Sequence, residues 1–298
     1  FALGNGYLGV RGNFEEGGAA YEHGTFINGF HETWPITYPE AAYGFASVGQ
    51  TILNLPDAKT IELRVGDETL DIDTANLDEY ERVLDMANGM LERRLVWRTG
   101  SGHRIEVASQ RVVSFENRHL SVMSYTVTAP DGAADVTLRS LLHTRQGAGG
   151  GAGETGAGET GAAAAGAADA ISDPRKSEDM SGALIPRLHG STGASLERPF
   201  LALATRNSAM GMAVAADHRL EGSPDTAPTT TTAPTRTETT YRFTLEPGVP
   251  VTLHKLVAYH DGASDRLEEL VSACDATLTS AASADPFAAQ RRWLDSFW

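Results

Sequence analysis

Residues 91–142 read LERRLVWR-TGSG-HRIEVASQRVVSF-ENR-HLSVMSYTVT-APDG-A-ADVTLRSLL, where the hyphens mark breaks in pattern. Apolar and polar side chains alternate along the four long segments, as is typical of half-buried strands. The short segments carry the Gly, Pro, Asn and Asp of tight turns. Consecutive strands without intervening helices predict an antiparallel sheet. Burying so many alternating apolar positions requires two such sheets packed face to face.

The same period extends to both sides of this stretch. Residues 60–65, TIELRV, alternate up to a Gly66-Asp67 turn, and residues 69–73, TLDID, return from it, which predicts a hairpin. Strand-like segments resume at 199–205, 211–216, 240–245 and 249–259. The predicted fold class is all-β, with one large two-sheet antiparallel β-sandwich over residues 1–262.

Two segments interrupt the strand pattern. Residues 146–170 are rich in Gly and Ala, and residues 221–239 are rich in Thr and Pro. Neither composition buries enough apolar area to offset chain entropy, so both are predicted to be mobile surface insertions. A flexible inter-domain linker is the alternative for the first segment.

Helical spacing replaces the strand period in residues 263–298. After Ser264, a candidate N-cap, apolar residues follow one another at helical intervals, and Asp285-Pro286 is a second capping signal. The second helix ends on aromatic residues that would be costly to leave exposed. We therefore expect linker helices that lead to an absent partner domain. The residues on which this rests are Leu267, Leu270, Val271, Cys274 and Leu278 in the first helix and Trp293, Leu294, Phe297 and Trp298 in the second.

Composition excludes several classes of partner. The net charge of -15 repels nucleic acid and anionic lipid, and no apolar stretch approaches the roughly 20 residues of a membrane helix. The single cysteine, Cys274, cannot form an intrachain disulfide, which suits a reducing compartment. We expect a soluble, cytoplasmic protein with no nucleic-acid or membrane partner.

Three short motifs resemble binding sites but lack the neighbouring residues that those sites require. Residues 4–9, GNGYLG, match a dinucleotide-binding pattern, but only three residues precede them and no helix-forming segment follows. In residues 31–35, HETWP, Pro35 stands where a zinc site needs its second histidine. Residues 71–82 lack most ligands of a calcium loop. We therefore predict no metal site and no cofactor site.

The N-terminal segment mixes carboxylates, aromatics and hydrogen-bonding groups. Glu15 and Glu16 are adjacent carboxylates, but neighbours on an extended segment point to opposite faces, which favours a surface or structural role. Aromatic rings beside polar groups, as in residues 21–43, suit sugar binding. Ordinary packing beneath a loop explains the same composition, so both interpretations stay open.

Residues 1–12, FALGNGYLGVRG, followed by Glu15-Glu16 and by residues 24–30, GTFINGF, resemble the opening of glycoside hydrolase family 65. Residues 84–93 and 111–115 resemble its next landmarks, and Trp293-x-x-x-Phe297-Trp298 is similar to the point where its sandwich passes into linker helices. That family contains maltose, trehalose, kojibiose and nigerose phosphorylases and related hydrolases.

The resemblance implies that a catalytic α/α-barrel follows this N-terminal domain. A barrel glutamate protonates the glycosidic oxygen of an α-glucosyl disaccharide while inorganic phosphate, a substrate and not a cofactor, attacks C1 to give β-glucose 1-phosphate. The resemblance places no catalytic residue in this chain, so we expect the domain alone to be inactive and the parent protein to be the enzyme. We also expect the parent to be a homodimer. The alternatives are a family 65 hydrolase, a free-standing carbohydrate-binding sandwich and a purely structural domain.

Seven residues of the N-terminal segment are predicted to meet the absent catalytic domain near the mouth of its active site. They combine large aromatic area with charged hydrogen-bonding groups, as interfaces and sugar sites do. The alternative is that Phe30 and Trp34 belong to the core and that Arg11 forms an internal ion pair. The seven residues are Asn5, Tyr7, Arg11, Phe30, His31, Glu32 and Trp34.

Overall fold

The computed structural model describes residues 1–17, 23–38, 40, 42–144, 182–192, 198–223 and 226–298. The predicted insertion at 146–170 lies outside these residues. In chain order, the strands are β1 (Ala2–Gly4), β2 (Leu8–Arg11), β3 (Thr25–Ile27), β4 (His31–Pro35), β5 (Val48–Ile52), β6 (Ile61–Val65), β7 (Glu68–Thr69), β8 (Leu77–Asp85), β9 (Met90–Arg98), β10 (Arg104–Val113), β11 (Leu120–Thr128), β12 (Ala134–His143), β13 (Leu184–Thr192), β14 (Arg198–Thr205), β15 (Met210–Glu221), β16 (Thr229–Ala233), β17 (Arg236–Leu245) and β18 (Val251–Ala263). The helices are α1 (Leu267–Ala281) and α2 (Pro286–Phe297).

Two large antiparallel sheets form the sandwich. One has eight strands in the order β13-β14-β15-β18-β11-β10-β9-β8, and the other has five in the order β16-β17-β12-β6-β7. Alternate residues of the two sheets meet in a buried cluster that includes Leu63 of β6, Trp97 of β9, Tyr125 of β11 and Leu138 of β12. The predicted all-β sandwich with helices at its C-terminal end is confirmed.

The N-terminal segment extends the layer opposite the eight-stranded sheet. Strands β1, β2 and β3 form a small antiparallel sheet. Leu8, Ile27 and Phe30 from this segment pack in one cluster with Leu203 of β14 and Val214 of β15. The N-terminal segment is therefore part of the main core and not a loose extension.

Helix α1 covers the outer face of the eight-stranded sheet. Small residues lie beneath it, such as Ala202 of β14 and Ala213 of β15, and they allow Val271 and Cys274 to approach closely. Arg198 of β14 also binds the helix, because its guanidinium donates to the Asp275 carboxylate at 2.9 Å. Both faces of this part of the sheet are consequently buried.

The helix starts match one of the two capping signals. Asp285 caps α2 by accepting hydrogen bonds from the backbone N–H groups of Phe287 and Ala288. The predicted cap at Ser264 is wrong, because α1 begins at Leu267, with Arg266 at the N-cap and no side-chain cap. Strand β18 instead extends to Ala263, and the chain turns into the helix after that residue.

The predicted mobile insertion at 221–239 is wrong for most of its length. Residues 229–233 and 236–239 belong to β16 and β17, an antiparallel hairpin at the edge of the five-stranded sheet. Thr237, Thr239 and Thr240 are buried. Threonine is β-branched and fits a pleated surface, so the low apolar content concealed a strand signal.

Candidate functional site

Asn5 joins the N-terminal turn to the turn between β10 and β11. Its side-chain amide donates to the backbone oxygens of Ser114, at 2.6 Å, and Arg118, at 3.0 Å. Its carbonyl oxygen accepts from the backbone N–H groups of Tyr7 and Leu8. Asn5 therefore fixes the position of Tyr7 beside residues 114–119.

Tyr7 is the centre of a half-buried polar cluster. Its hydroxyl donates to Asp261 at 2.6 Å, its ring meets His119 edge-on at 4.5 Å, and the Arg118 guanidinium lies 5.0 Å from its centroid. His119 stacks on His260 at 3.9 Å. We call these five residues the Tyr7 cluster.

Burial controls the protonation of the Tyr7 cluster. Burial and then the Asp261 carboxylate raise the pKa of Tyr7 far above its usual value, so the phenol stays protonated. Burial, followed by the nearby His119 and Arg118, lowers the pKa of His260 to about 4. At neutral pH the histidine pair is uncharged, which suits stacking and hydrogen bonding.

Three of the seven predicted interface residues are buried, which corrects their assignment to an exposed face. Phe30 is 0% exposed and belongs to the core. Glu32 is 1% exposed, and its carboxylate accepts from the backbone N–H groups of Arg206, Asn207 and Ser208. Trp34 is also buried. Their burial favours the core alternative for Phe30 and Trp34.

Glu32 is held as an anion by backbone N–H groups. Burial raises its pKa, but four backbone N–H groups, including that of Thr33, donate to the carboxylate and lower the pKa below its usual value overall. The carboxylate thereby holds the turn between β14 and β15. Its role could not be read from residues 31–35, because all but one of its partners come from residues 206–208.

The remaining two predicted residues lie apart from the Tyr7 cluster. The guanidinium of Arg11 lies 5.6 Å from the ring centroid of Phe26 in β3. His31 is half-buried, and its Nδ1 lies 2.8 Å from the backbone oxygen of Gly29. The seven residues therefore form no single face. Sequence reasoning also missed Arg118, His119, His260 and Asp261, which reach Tyr7 from more than a hundred residues away.

Glu15 and Glu16 lie inside the sandwich. Arg93 donates two hydrogen bonds to Glu16, at 2.6 and 2.7 Å, and its guanidinium lies 3.0 Å from the Glu15 carboxylate. Arg111 pairs with Glu15, and Tyr125 donates to Glu16. Although burial opposes it, the two arginines lower the pKa of Glu15 to about 2. The Glu15 carboxylate therefore stays ionised, and both carboxylates are paired inside the domain and closed to a sugar, so the structural interpretation is right.

A patch of exposed aromatic residues lies where α2 ends. Phe115 stacks on Trp293 at 4.6 Å, and Trp293 stacks on Phe297 at 5.8 Å. Phe297 is 64% exposed and Trp298 76%, and Met86 beside them is also exposed. We call these five residues the terminal aromatic patch.

The terminal aromatic patch is rigidly held and adjoins the Tyr7 cluster. Gln290 of α2 accepts a hydrogen bond from the backbone N–H of Phe115, at 3.0 Å, and the Trp298 indole donates to the Ala87 oxygen at 3.1 Å. Phe115 of the patch and His119 of the cluster come from the same turn, between β10 and β11, which links the two groups. Together they form one candidate interface of polar and aromatic groups.

A separate cavity lies at the start of α1. It has a volume of about 640 Å³ and is lined by Arg187, Arg206 and Arg266 together with Asp265 and Glu268. The charges of the lining are mixed, and no aromatic residue belongs to it. It offers hydrogen bonds to hydroxyl groups but no stacking surface for a sugar ring.

Within the described residues, no group of three or more His, Cys, Asp or Glu side chains is arranged to hold a metal ion. No described helix combines the length and apolar character needed to cross a bilayer.

The family model described as "Glycosyl hydrolase family 65, N-terminal domain" matches residues 1–297. The chain belongs to glycosyl hydrolase family 65. The resemblance carried by residues 1–30 and the later motifs is thus confirmed. The match extends across the whole described sandwich and both helices, so the family 65 N-terminal domain includes α1 and α2.

Relatives of this family 65 domain fall into two groups. Across its whole length it is 33% identical to an uncharacterized glycosyl hydrolase of Mycobacterium tuberculosis, of which it covers 36%. Over 43% of its length it is 45% identical to the α,α-trehalose phosphorylase of Thermoanaerobacter brockii, and over 49% it is 31% identical to the kojibiose phosphorylase of Escherichia coli. It covers 17% and 18% of those two enzymes.

A solved structure has the same fold. It is that of a human-microbiome protein provisionally named a kojibiose phosphorylase, with a TM-score of 0.77 at 16% identity, and the superposition covers 99% of this chain and 35% of that one. The family 65 domain therefore spans about a third of the length of the relatives that it matches throughout.

Proposed function

We propose that this family 65 domain is a non-catalytic part of an enzyme that cleaves an α-glucosyl disaccharide with inorganic phosphate and releases β-glucose 1-phosphate. The family match over residues 1–297 carries the proposal, because family relatives include trehalose and kojibiose phosphorylases. The parent enzyme is cytoplasmic and uses phosphate as a substrate, with no metal or organic cofactor and no nucleic-acid or membrane partner.

The state of the carboxylates supports a non-catalytic role. Phosphorolysis requires a carboxyl group that can protonate the leaving oxygen at a site open to the sugar. Glu15 and Glu16 are paired with buried arginines, and Glu32 is held by backbone N–H groups. We therefore assign the general acid and the phosphate site to an α/α-barrel in the remaining two-thirds of the parent enzyme.

The role of this domain is to dock that barrel. The terminal aromatic patch exposes a contiguous apolar area beside the hydrogen-bonding groups of the Tyr7 cluster, and an apolar centre with a polar rim is typical of interfaces. Asn5 and Tyr7 remain in this proposed interface. Phe30, Glu32 and Trp34 leave it, because they are buried.

Docking is tested by Phe297→Ser in the full-length parent, with Val249→Ser as the control on an exposed turn. We expect Phe297→Ser to lower turnover and expose the junction to protease, whereas Val249→Ser changes neither. The isolated domain should keep its thermal stability in both variants. Unchanged turnover and protease resistance in Phe297→Ser would contradict docking at this patch.

A hydrolase is the second candidate for the parent enzyme. The M. tuberculosis relative, which matches along the whole domain, is named a glycosyl hydrolase without a stated substrate. The full-length parent should be supplied with trehalose, kojibiose and maltose, with and without phosphate. Phosphate-dependent release of glucose 1-phosphate supports phosphorolysis, and free glucose at the same rate without phosphate shows hydrolysis.

Carbohydrate binding by the domain alone is the remaining alternative. The cavity lined by Arg206 and Glu268 can bond hydroxyl groups, but its lining includes no aromatic platform. A pull-down on glucan separates the two roles, because a docking domain is not retained on the matrix.

The parent enzyme is also proposed to be a homodimer.

A further inference from the structure

Strand β5 has a free edge. Its register with β4 pairs Thr33 with Gln50 and continues outward on both sides. Two backbone hydrogen bonds flank the β4–β5 pairing: Leu53 N–H donates to the Phe30 oxygen, and Ile36 N–H donates to the Ser47 oxygen. Because hydrogen-bonded pairs alternate with non-bonded pairs in an antiparallel ladder, every second residue pair between these two bonds is hydrogen-bonded. Val48, Gln50 and Ile52 lie between those pairs. Their backbone N–H and C=O groups therefore point away from β4, and no other described strand pairs with them.

This edge lacks the usual protection against pairing. Its sequence, VGQTI, carries no charge and no proline, and Val48 is 59% exposed and Ile52 50%. Exposed edge strands are normally guarded by charges, prolines or bulges. The edge strand β8 carries four charged residues between 78 and 82, and the edge strand β13 has Pro186, Arg187 and a bulge. An apolar edge without such protection presents unpaired backbone groups that can pair with a strand of another segment or chain.

The residues along the edge are arranged symmetrically about Gln50. If β5 pairs antiparallel with a second β5 and Gln50 faces Gln50, then Val48 faces Ile52 at both ends. Apolar side chains then meet apolar ones, and the two amides meet at the centre. Three outward-facing residues on each strand supply about six backbone hydrogen bonds across the junction.

We propose that β5 pairs antiparallel with β5 of a second copy of this chain, about a two-fold axis at Gln50. This surface rests on the homodimer of the proposed function but not on the reaction that the parent enzyme performs. The symmetry of the edge favours a second copy over an unrelated segment, because isologous interfaces require a self-complementary patch.

Charge also favours this place of contact. Two chains of net charge -15 repel each other over most of their surfaces, so association needs an uncharged region. The exposed Tyr43 and Phe45 lie in the connection that precedes β5 and add apolar area beside it. Since a five-residue edge is smaller than a standard interface of about 1,200–2,000 Å², we expect a weak dimer of about micromolar Kd.

Sedimentation velocity on the purified chain tests the proposal, with Gln50→Lys and Gln50→Glu as variants. Each variant places like charges opposite each other at the two-fold axis, so we expect Kd to rise about tenfold or more. An equimolar mixture of the two should associate again, because lysine then faces glutamate. Thr231→Lys, which adds the same charge to the exposed strand β16, is the matched control and should dimerise like the parent sequence.

Three outcomes would overturn the proposal. The first is a chain that stays monomeric up to about 0.5 mM, as expected if β5 pairs within the parent enzyme. The second is a dimer that both charge variants leave intact. The third is a mixture of Gln50→Lys and Gln50→Glu that stays monomeric. None of these results bears on phosphate-dependent cleavage by the parent enzyme, so failure of the dimer and failure of the proposed reaction are distinguishable.

Discussion

Arg111→Met removes one partner of the buried Glu15 carboxylate and should destabilise the sandwich by about 3 kcal/mol at neutral pH. Arg111 is 1% exposed and donates to Glu15 and to the backbone oxygen of Asn13. Breaking a buried ion pair from one side leaves an incompletely compensated charge, which costs about 3–5 kcal/mol. The pKa of Glu15 is lowered from 4.5 to about 2 by Arg111 and Arg93 together, and each pKa unit is worth about 1.4 kcal/mol, so this shift sets an upper bound of the same order on the share of Arg111.

The sign of the pH dependence follows from the direction of that pKa. A carboxyl group whose pKa is lowered by folding stabilises the protein above its unfolded pKa, and the contribution is lost as the pH falls toward the folded value. The deficit of Arg111→Met relative to the unsubstituted chain should therefore shrink by about 1 kcal/mol between pH 7 and about pH 3.5.

Urea unfolding at the two pH values measures both effects. Arg64→Met is the control, because its ion pair with Asp67 is largely exposed and should matter by less than about 0.5 kcal/mol. Adding Glu15→Leu to Arg111→Met should recover part of the loss, because position 15 then carries no incompletely compensated carboxylate. A deficit below about 1 kcal/mol at pH 7, or one that does not depend on pH, would show that Arg111 does not stabilise the ionised Glu15 carboxylate.

Three further predictions concern other parts of the domain. Phe30→Ala should lower the free energy of unfolding by about 3–5 kcal/mol, whereas Phe297→Ala in the isolated domain should change it by less than about 0.5 kcal/mol, as measured by urea denaturation. Burial lowers the pKa of Lys255 to about 7, so the folded state binds fewer protons than the unfolded state above that pH. Stability should therefore rise by about 2 kcal/mol from pH 7 to about pH 9, and Lys255→Met should abolish the rise. Tyr7→Phe in the full-length parent, which removes the hydrogen bond to Asp261, should weaken domain docking in a protease-protection assay while the thermal stability of the isolated domain stays within a few degrees.

The sandwich was predictable because apolar and polar residues alternate along much of the length of its strands, as in β10. The predicted segments 91–98, 103–115 and 119–128 match β9, β10 and β11 to within two residues at each end, since apolar side chains at every second position have one core to face. The threonine-rich β16 was missed because it has no apolar residues at alternate positions, which is the pattern that predicts a half-buried strand. Strand β17 begins within the same segment, and its buried threonines carry no apolar signal.

The interior charges could not be predicted from local pattern. Arg93, Arg111 and Lys255 occupy inward positions of strands where apolar residues are expected, and their partners are far away in the sequence. Glu15 and Glu16 were expected to point to opposite faces, as on an extended segment. They lie in a turn, and both reach Arg93. The Tyr7 cluster assembles from three distant segments in the same way.

The most direct test compares the purified 298-residue chain with its full-length parent in one assay for glucose 1-phosphate. Trehalose, kojibiose and inorganic phosphate are supplied to both proteins, and the chain is used at much the higher concentration. We expect phosphate-dependent release of glucose 1-phosphate by the parent and none by the chain. Release of glucose 1-phosphate by the chain itself would contradict its assignment as a non-catalytic domain.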